Sequence, residues 1–182
     1  MTLVLILGGA RSGKSSLAQA LALAHESPVT VVATATAGDE EMADKIALHR
    51  RDRPADWLTV EEPFDLTDAL RAIPTGHTVV LDCLTLWVAN LLDRGDPSER
   101  VLALAAEVAT EVAGRDGLTI AVSNEVGLGV VPGTSLGRMF RDLLGEVNQV
   151  WAGLADRVVF AVAGLALPLL DAQQIGASIQ RD

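Results

Sequence analysis

Tyrosine is absent from this chain, and its three Trp and three Phe make up only 3% of it. A lone cysteine, Cys83, excludes an internal disulfide. Basic residues are scarce: 14 Lys and Arg stand against 24 Asp and Glu, for a formal net charge of −10. Such a chain repels nucleic-acid phosphates unless it carries a local basic patch. The one cluster, Arg50-Arg51-Asp52-Arg53, is too small for a DNA footprint but large enough for a triphosphate. No nucleic acid is therefore expected as a partner. Long apolar runs are missing too. Leu3–Leu7 is too short for a signal sequence or a membrane span, and no basic region or cleavage site accompanies it. A soluble, cytoplasmic protein is expected. No Cys/His cluster suggests zinc, and no G-x-S-x-G turn supports Ser-His-Asp chemistry.

What the chain does have is a phosphate-binding signature at its front. Leu3–Leu7 breaks into Gly8-Gly9-Ala10-Arg11-Ser12-Gly13-Lys14-Ser15, and a helix-compatible stretch, Leu17–Leu23, follows. This is G-x-x-x-x-G-K-S between a strand and a helix. Glycines there let backbone N–H groups close on a phosphate. The helix start aims its positive dipole end at the same anion. Lys14 adds a full charge toward the β- and γ-phosphates, and Ser15 offers a hydroxyl to Mg²⁺.

The 182 residues, 49% of them apolar, suit one domain over 1–182, with a tail after about 170 that is small, polar and expected to be loose. Buried-type strands are read at 3–7, 29–33, 57–61, 77–82, 118–122 and 157–162, the last taken as the final strand. Between them lie helices at 15–24, from an Asp39 cap to about Arg53, over 66–73, at 84–92, at 99–114, and from a Thr134 cap to about Leu154. In the last of these Leu136, Phe140, Leu143, Val147, Val150 and Leu154 are expected to face inward. Strands alternating with helices give a three-layer α/β fold with a mainly parallel sheet.

Asp82 ends a hydrophobic strand, where it would hold Mg²⁺ directly or through water, or else cap the helix that follows. His49 shares a helix face with Met42, Ile46 and Arg53. It is either a structural histidine or, when neutral, a nucleophile toward an α-phosphate, with the arginines around it suited to a triphosphate. His25 and His77 have no such company and read as structural. Cys83 reads as a small core side chain rather than a reactive thiol. Glu61 and the pair Asn124-Glu125 either contact ribose, base or substrate hydroxyls or are ordinary loop polarity.

Together these pieces resemble a known family. Gly8–Ser15 is followed by Ala33-Thr34, then by Asp39-Glu40-Glu41-Met42 leading to His49-Arg50-x-x-Arg53. Later come Asp82–Asn90, Ser123–Pro132, Arg138-x-Phe-Arg-Asp142 and Asn148-Gln149. The set resembles the bifunctional adenosylcobinamide kinase / adenosylcobinamide-phosphate guanylyltransferases of cobalamin biosynthesis, from Leu3 to about Leu167. The resemblance implies a RecA-like P-loop NTPase fold and a homotrimer. It implies phosphorylation of adenosylcobinamide by ATP or GTP, then transfer of GMP from GTP through a guanylylated histidine to give adenosylcobinamide-GDP and pyrophosphate. On this chain that histidine is His49, with Lys14 as the other catalytic residue. Nucleotide contacts fall on Gly8, Gly9, Ala10, Arg11, Ser12, Gly13, Lys14, Ser15, Ala33, Thr34, Ala35, Arg50, Arg51, Asp52, Arg53, Glu61 and Asp82, with Ser15 and Asp82 at Mg²⁺. The corrin is expected on a broad surface that includes the loop from Val126 to Leu136. The helix bearing His49 is expected to be mobile without GTP. A P-loop small-molecule kinase or ATPase without guanylyl transfer is the rival reading. A guanine-nucleotide switch is disfavoured because the base-reading N-K-x-D is missing.

Overall fold

The computed structural model describes residues 2–38, 40–51 and 53–179. The expected cap Asp39, the expected nucleotide contact Asp52 and the side chain of Met42 lie outside the described residues.

Runs of β-branched and aliphatic residues form a seven-stranded sheet: β1 (Thr2–Gly8), β2 (Val29–Ala33), β3 (Leu58–Glu61), β4 (Thr78–Asp82), β5 (Leu118–Val122), β6 (Arg157–Val162) and β7 (Leu165–Leu169). The order across the sheet is β3-β2-β4-β5-β1-β6-β7. All neighbours are parallel except β6 and β7, which form an antiparallel hairpin. The helices are α1 (Lys14–Leu23), α2 (Glu40–Arg51), α3 (Leu66–Ala72), α4 (Leu84–Arg94), α5 (Ser98–Gly114), α6 (Ser135–Leu154) and α7 (Ala172–Ile179).

The period of two in the strands divides the core. Val4 and Ile6 of β1, Val80 of β4 and Ile120 and Val122 of β5 pack with Ala18 and Ala22 of α1. Leu3, Leu5 and Leu7 turn to the other face, where they join Leu70, Trp87, Val108, Val147 and Trp151 from α3, α4, α5 and α6. The three-layer parallel α/β architecture is therefore as expected, with helices on both faces of one sheet.

Four local expectations are corrected. Arg157–Val162 is not the final strand, because β7 pairs with it. The turn between them puts Ala163 at φ 53 and Gly164 at φ 78, the two positive values that a tight hairpin turn requires. Pro168 stands in β7, which lies at the sheet edge, where a missing N–H costs no internal pairing. Helix α2 ends at Arg51, so Arg53 is outside it. The strand expected from Trp57 starts at Leu58. In α6 the inward row is Leu143, Leu144, Val147, Asn148 and Trp151, whereas Leu136 and Leu154 are exposed. The expected set had followed one helical row past both ends of the buried contact. The Thr134 cap is as expected, its hydroxyl accepting from the Gly137 N–H at 3.1 Å.

His25 and His77 are structural, as expected. Their Nδ1 atoms bond the hydroxyls of Thr78 at 2.9 Å and Thr30 at 3.0 Å, tying together the starts of β2 and β4.

Candidate nucleotide site

The phosphate loop leaves β1 at Gly8 and enters α1 at Lys14. Gly13 is the N-cap in a left-handed conformation, φ 99, and no side chain caps the helix. No acid stands in the first turn. The first N–H groups and the dipole end are thus left for an anion. The loop is braced from behind. The Gly164 N–H donates to the Ser12 carbonyl at 2.9 Å. A Cβ on Gly13 would stand 2.9 Å from the Gly164 Cα. The hairpin turn β6–β7 is therefore packed directly on the loop.

Lys14 is only 8% exposed, and its Nζ donates to the Gly9 carbonyl at 2.6 Å, inside the loop it would serve. Burial lowers its pKa below the ordinary lysine value, and Cys83 and the Asp82 carboxylate oppose that shift. Asp82 ends β4 beside the loop. Its alternative role as a cap is not realised, since the N-cap of α4 is Cys83 and no side chain caps that helix.

Thr34 is fully buried and pins the chain just past Asp82. Its hydroxyl donates to the Cys83 carbonyl at 2.8 Å and accepts the Cys83 N–H at 2.9 Å. Its carbonyl accepts from Asn90 Nδ2 at 2.7 Å. Cys83 itself packs against the α1-side core, as expected of a small core side chain. Burial, with the Asp82 carboxylate, pushes its thiol up to about 12.

A cleft of about 640 Å³ opens where these elements meet. Of the expected site residues, Ala10, Arg11, Lys14, Ser15, Ala33, Ala35, His49, Arg50, Arg53, Glu61 and Asp82 line it. Gly8, Gly9, Ser12 and Gly13 build the loop beneath without facing the space, and Thr34 turns its side chain to Cys83. Arg51 is exposed on α2 and does not line the cleft. Arg50 pairs with Glu61, which joins α2 to the end of β3. Arg53 donates to Thr59 Oγ1 at 3.4 Å. Its pKa is lowered by burial and further by Arg50, against the pull of Asp82. Among the described residues Arg11, Lys14, Arg50 and Arg53 face this cleft against the carboxylates of Glu61 and Asp82, a local excess of positive charge in an acidic chain. His49 also borders a second, smaller cavity of about 120 Å³ with Ser15, Arg53, Trp57 and Asp82.

The sequence had not pointed to Ala43, Ala47, Cys83, Leu86 or Val122 as cleft wall. The alanines carry no signal. Leu86 had one: it stands one turn into the helix after a strand-ending acid. Of the pair Asn124-Glu125, read as a contact to ribose, base or substrate hydroxyls or else as loop polarity, Asn124 lines the cleft, whereas Glu125 turns a carboxylate oxygen to the Gly127 N–H at 2.6 Å.

Residues 4–169 match the CobU family model, cobinamide kinase / cobinamide phosphate guanyltransferase. The chain belongs to this family. It is 49% identical over 170 residues to the bifunctional adenosylcobalamin biosynthesis protein CobP of Pseudomonas aeruginosa, covering 91% of this chain and 95% of that one. It is 39% identical over 180 residues to the bifunctional adenosylcobalamin biosynthesis protein CobU of Escherichia coli K12, covering 92% and 99%. Among solved structures it superposes on a type III secretion system ATPase with TM-score 0.58 at 10% identity, over 98% of this chain and 61% of that one. A Pyrococcus horikoshii protein, PH0250, gives TM-score 0.55 at 9% identity, over 95% and 89%. These two likenesses concern the fold alone. Among the described residues no helix is long and apolar enough to cross a membrane.

Proposed function

We propose that this family member phosphorylates adenosylcobinamide with ATP or GTP, then guanylylates the product through a covalent GMP on His49. The observation that carries this reading is the single cleft in which Lys14 and Asp82 face His49, Arg50 and Arg53 of the α2 segment. In the first step the aminopropanol hydroxyl oxygen bonds the γ-phosphorus. The bond from that phosphorus to the bridging oxygen breaks, the hydroxyl proton passes to water, and the nucleoside diphosphate leaves. In the second, a neutral His49 ring nitrogen bonds the α-phosphorus of GTP and pyrophosphate leaves. A phosphate oxygen of the cobinamide phosphate then displaces the imidazole, and adenosylcobinamide-GDP is formed. Both steps need positioning and charge neutralisation, which Lys14 and the arginines supply.

The Ser15 hydroxyl and the Asp82 carboxylate are hard oxygen donors facing the same space, and they fit Mg²⁺. Among the described residues no cluster of three His, Cys, Asp or Glu could hold a metal, which suits an ion that keeps waters and phosphate oxygens as its other ligands. Bound there, Mg²⁺ would neutralise charge developing on the phosphates.

His49 lies on α2 rather than on the loop, and we expect α2 to close on a bound nucleotide so that the ring reaches the α-phosphate. The loop after β5 exposes Leu128, Val130 and Val131, and the first turn of α6 exposes Leu136, apolar surface for a corrin ring. A homotrimer is the assembly that membership in this family leads us to expect.

Intact mass after incubation with GTP and Mg²⁺ tests the reading. One acid-labile GMP is expected on the protein and none on His49→Ala. Nucleotide binding without an adduct in either protein would leave the rival kinase or ATPase, with His49 structural.

A further inference from the structure

Asn124 occupies the cleft floor between the phosphate loop and Asp82, and register puts it there. Val122 of β5 pairs with Ile6 of β1 on one side and with Asp82 of β4 on the other. Ile6, Val80 and Val122 all pack on the α1 side of the sheet. Asp82 and Asn124, two residues beyond Val80 and Val122, share that parity. Lys14 and Ser15 begin α1 on the same face, and Asn124 lines the cleft with them.

The main chain at Asn124 is fixed from three directions. Its N–H donates to Thr85 Oγ1 at 2.7 Å. Its carbonyl accepts from Nδ2 of buried Asn148 at 3.1 Å. The following N–H, of Glu125, donates to the Gly8 carbonyl at 3.0 Å. Among the described residues its side-chain amide has no hydrogen-bond partner. A held backbone carrying an uncommitted, uncharged donor is a preorganised contact for developing negative charge.

The ligand follows from what stands on either side. β1 carries the loop that cradles phosphates and β4 carries the acid suited to Mg²⁺; β5 lies between them. A group held by loop and metal together stands over the end of β5. In a nucleoside triphosphate on such a loop, that group is the β,γ-phosphate end.

We propose that Asn124 donates from Nδ2 to an oxygen of the γ-phosphoryl group and stabilises its transfer to the cobinamide hydroxyl, the first step of the proposed function. The proposal deepens the kinase half of that reading and rests on it. In guanylyl transfer the reacting centre is the α-phosphorus. A contact to the γ-phosphate is then made alike in ground and transition state, so it contributes to GTP affinity rather than to the rate at saturation.

Asn124→Ala and the near-isosteric Asn124→Asp test this against the unaltered protein, with melting temperature as the check on folding. For Asn124→Ala the turnover of adenosylcobinamide phosphorylation at saturation should fall about 100-fold, the scale of losing one transition-state donor. GMP-adduct formation should need more GTP yet lose far less of its saturating rate. Asn124→Asp, which sets a carboxylate against the phosphate, should phosphorylate more slowly still. The third readout is the ratio of Kd for GDP to Kd for a non-hydrolysable GTP analogue, which should drop in both variants. Retained kinase turnover, an unchanged Kd ratio, or saturating rates that fall equally in both reactions would overturn the proposal. A wild-type protein that makes neither cobinamide phosphate nor adduct would defeat the activity reading, while the Kd ratio would still decide the role of Asn124.

Discussion

Gly13 and Gly9 sit four residues apart in one loop, and the structure gives them opposite tolerance to a methyl group. Gly13 has φ +99. That lies beyond the small left-handed basin, and even inside the basin an L-residue loses about 1–2 kcal/mol. A Cβ there would also meet Gly164, at 2.9 Å from Cα and 3.3 Å from N. Those are backbone atoms of the hairpin turn, which cannot rotate away as a side chain would. Overpacking of this kind costs about 1–3 kcal/mol. Gly13→Ala should therefore lose about 2–5 kcal/mol, and at 2–4 °C per kcal/mol for a chain of this size the Tm should fall by about 4–20 °C. A Cβ on Gly9 meets no atom within 4 Å, and its φ is not positive. Gly9→Ala should stay within about 0.5 kcal/mol of the parent. Calorimetry of the two variants without nucleotide, followed by titration of each with GTP, makes the comparison. Gly13→Ala should also bind GTP more weakly, because the loop has to move off its brace. Equal melting temperatures for the two variants would refute the claim that the hairpin fixes the loop.

Two further expectations concern the segment after Asp82. Thr34→Val removes the hydroxyl that accepts the Cys83 N–H and leaves that donor unpaired beside the core. A loss of about 1–3 kcal/mol is expected, read as a Tm lower by about 2–12 °C, and an unchanged Tm would show the bond to be dispensable. Cys83, its thiol pushed up to about 12, should stay protonated from neutral pH to well above pH 9 and form thiolate only as the pH climbs toward that value. Since the thiolate is the reactive form, iodoacetamide should label Cys83 at pH 8 far more slowly in the native protein than after denaturation, although the side chain borders the cleft; equally prompt labelling of both would contradict the raised pKa.

Most of the sheet was legible in the sequence because its inner strands are short runs of β-branched and aliphatic residues. Val29–Ala33 and Leu118–Val122 have the bounds expected of them. The phosphate loop was legible because its chemistry needs fixed residue types at fixed spacing. β7 was hidden by two features. Its turn uses Ala163 where Asn or Asp is the usual signal, and Pro168 reads as a strand breaker unless the strand is known to be an edge. The face of α6 was misread because the register of a long amphipathic helix is set by what it packs against, and Trp151 proved to be the anchor. Thr34 illustrates a different limit. Its place at the end of β2 was readable, but the partner of its hydroxyl is a peptide unit 49 residues away. Asn124 gains meaning only from its neighbours, since nothing local says that its strand lies between the loop strand and the Asp82 strand.

The hairpin that braces the phosphate loop has a consequence for how the protein is made. Gly8 to Ser15 leave the ribosome early, yet β1 pairs with β5 and β6, and the Ser12 carbonyl waits for the N–H of Gly164. β1 has no strand partner until β5, more than 100 residues later, has been translated, and the loop has no brace until Gly164 follows. During synthesis the strand's apolar edge is open to pairing with other chains, a hazard common to non-local parallel sheets. A nascent chain arrested before the hairpin would carry every residue of the loop motif and still lack its brace.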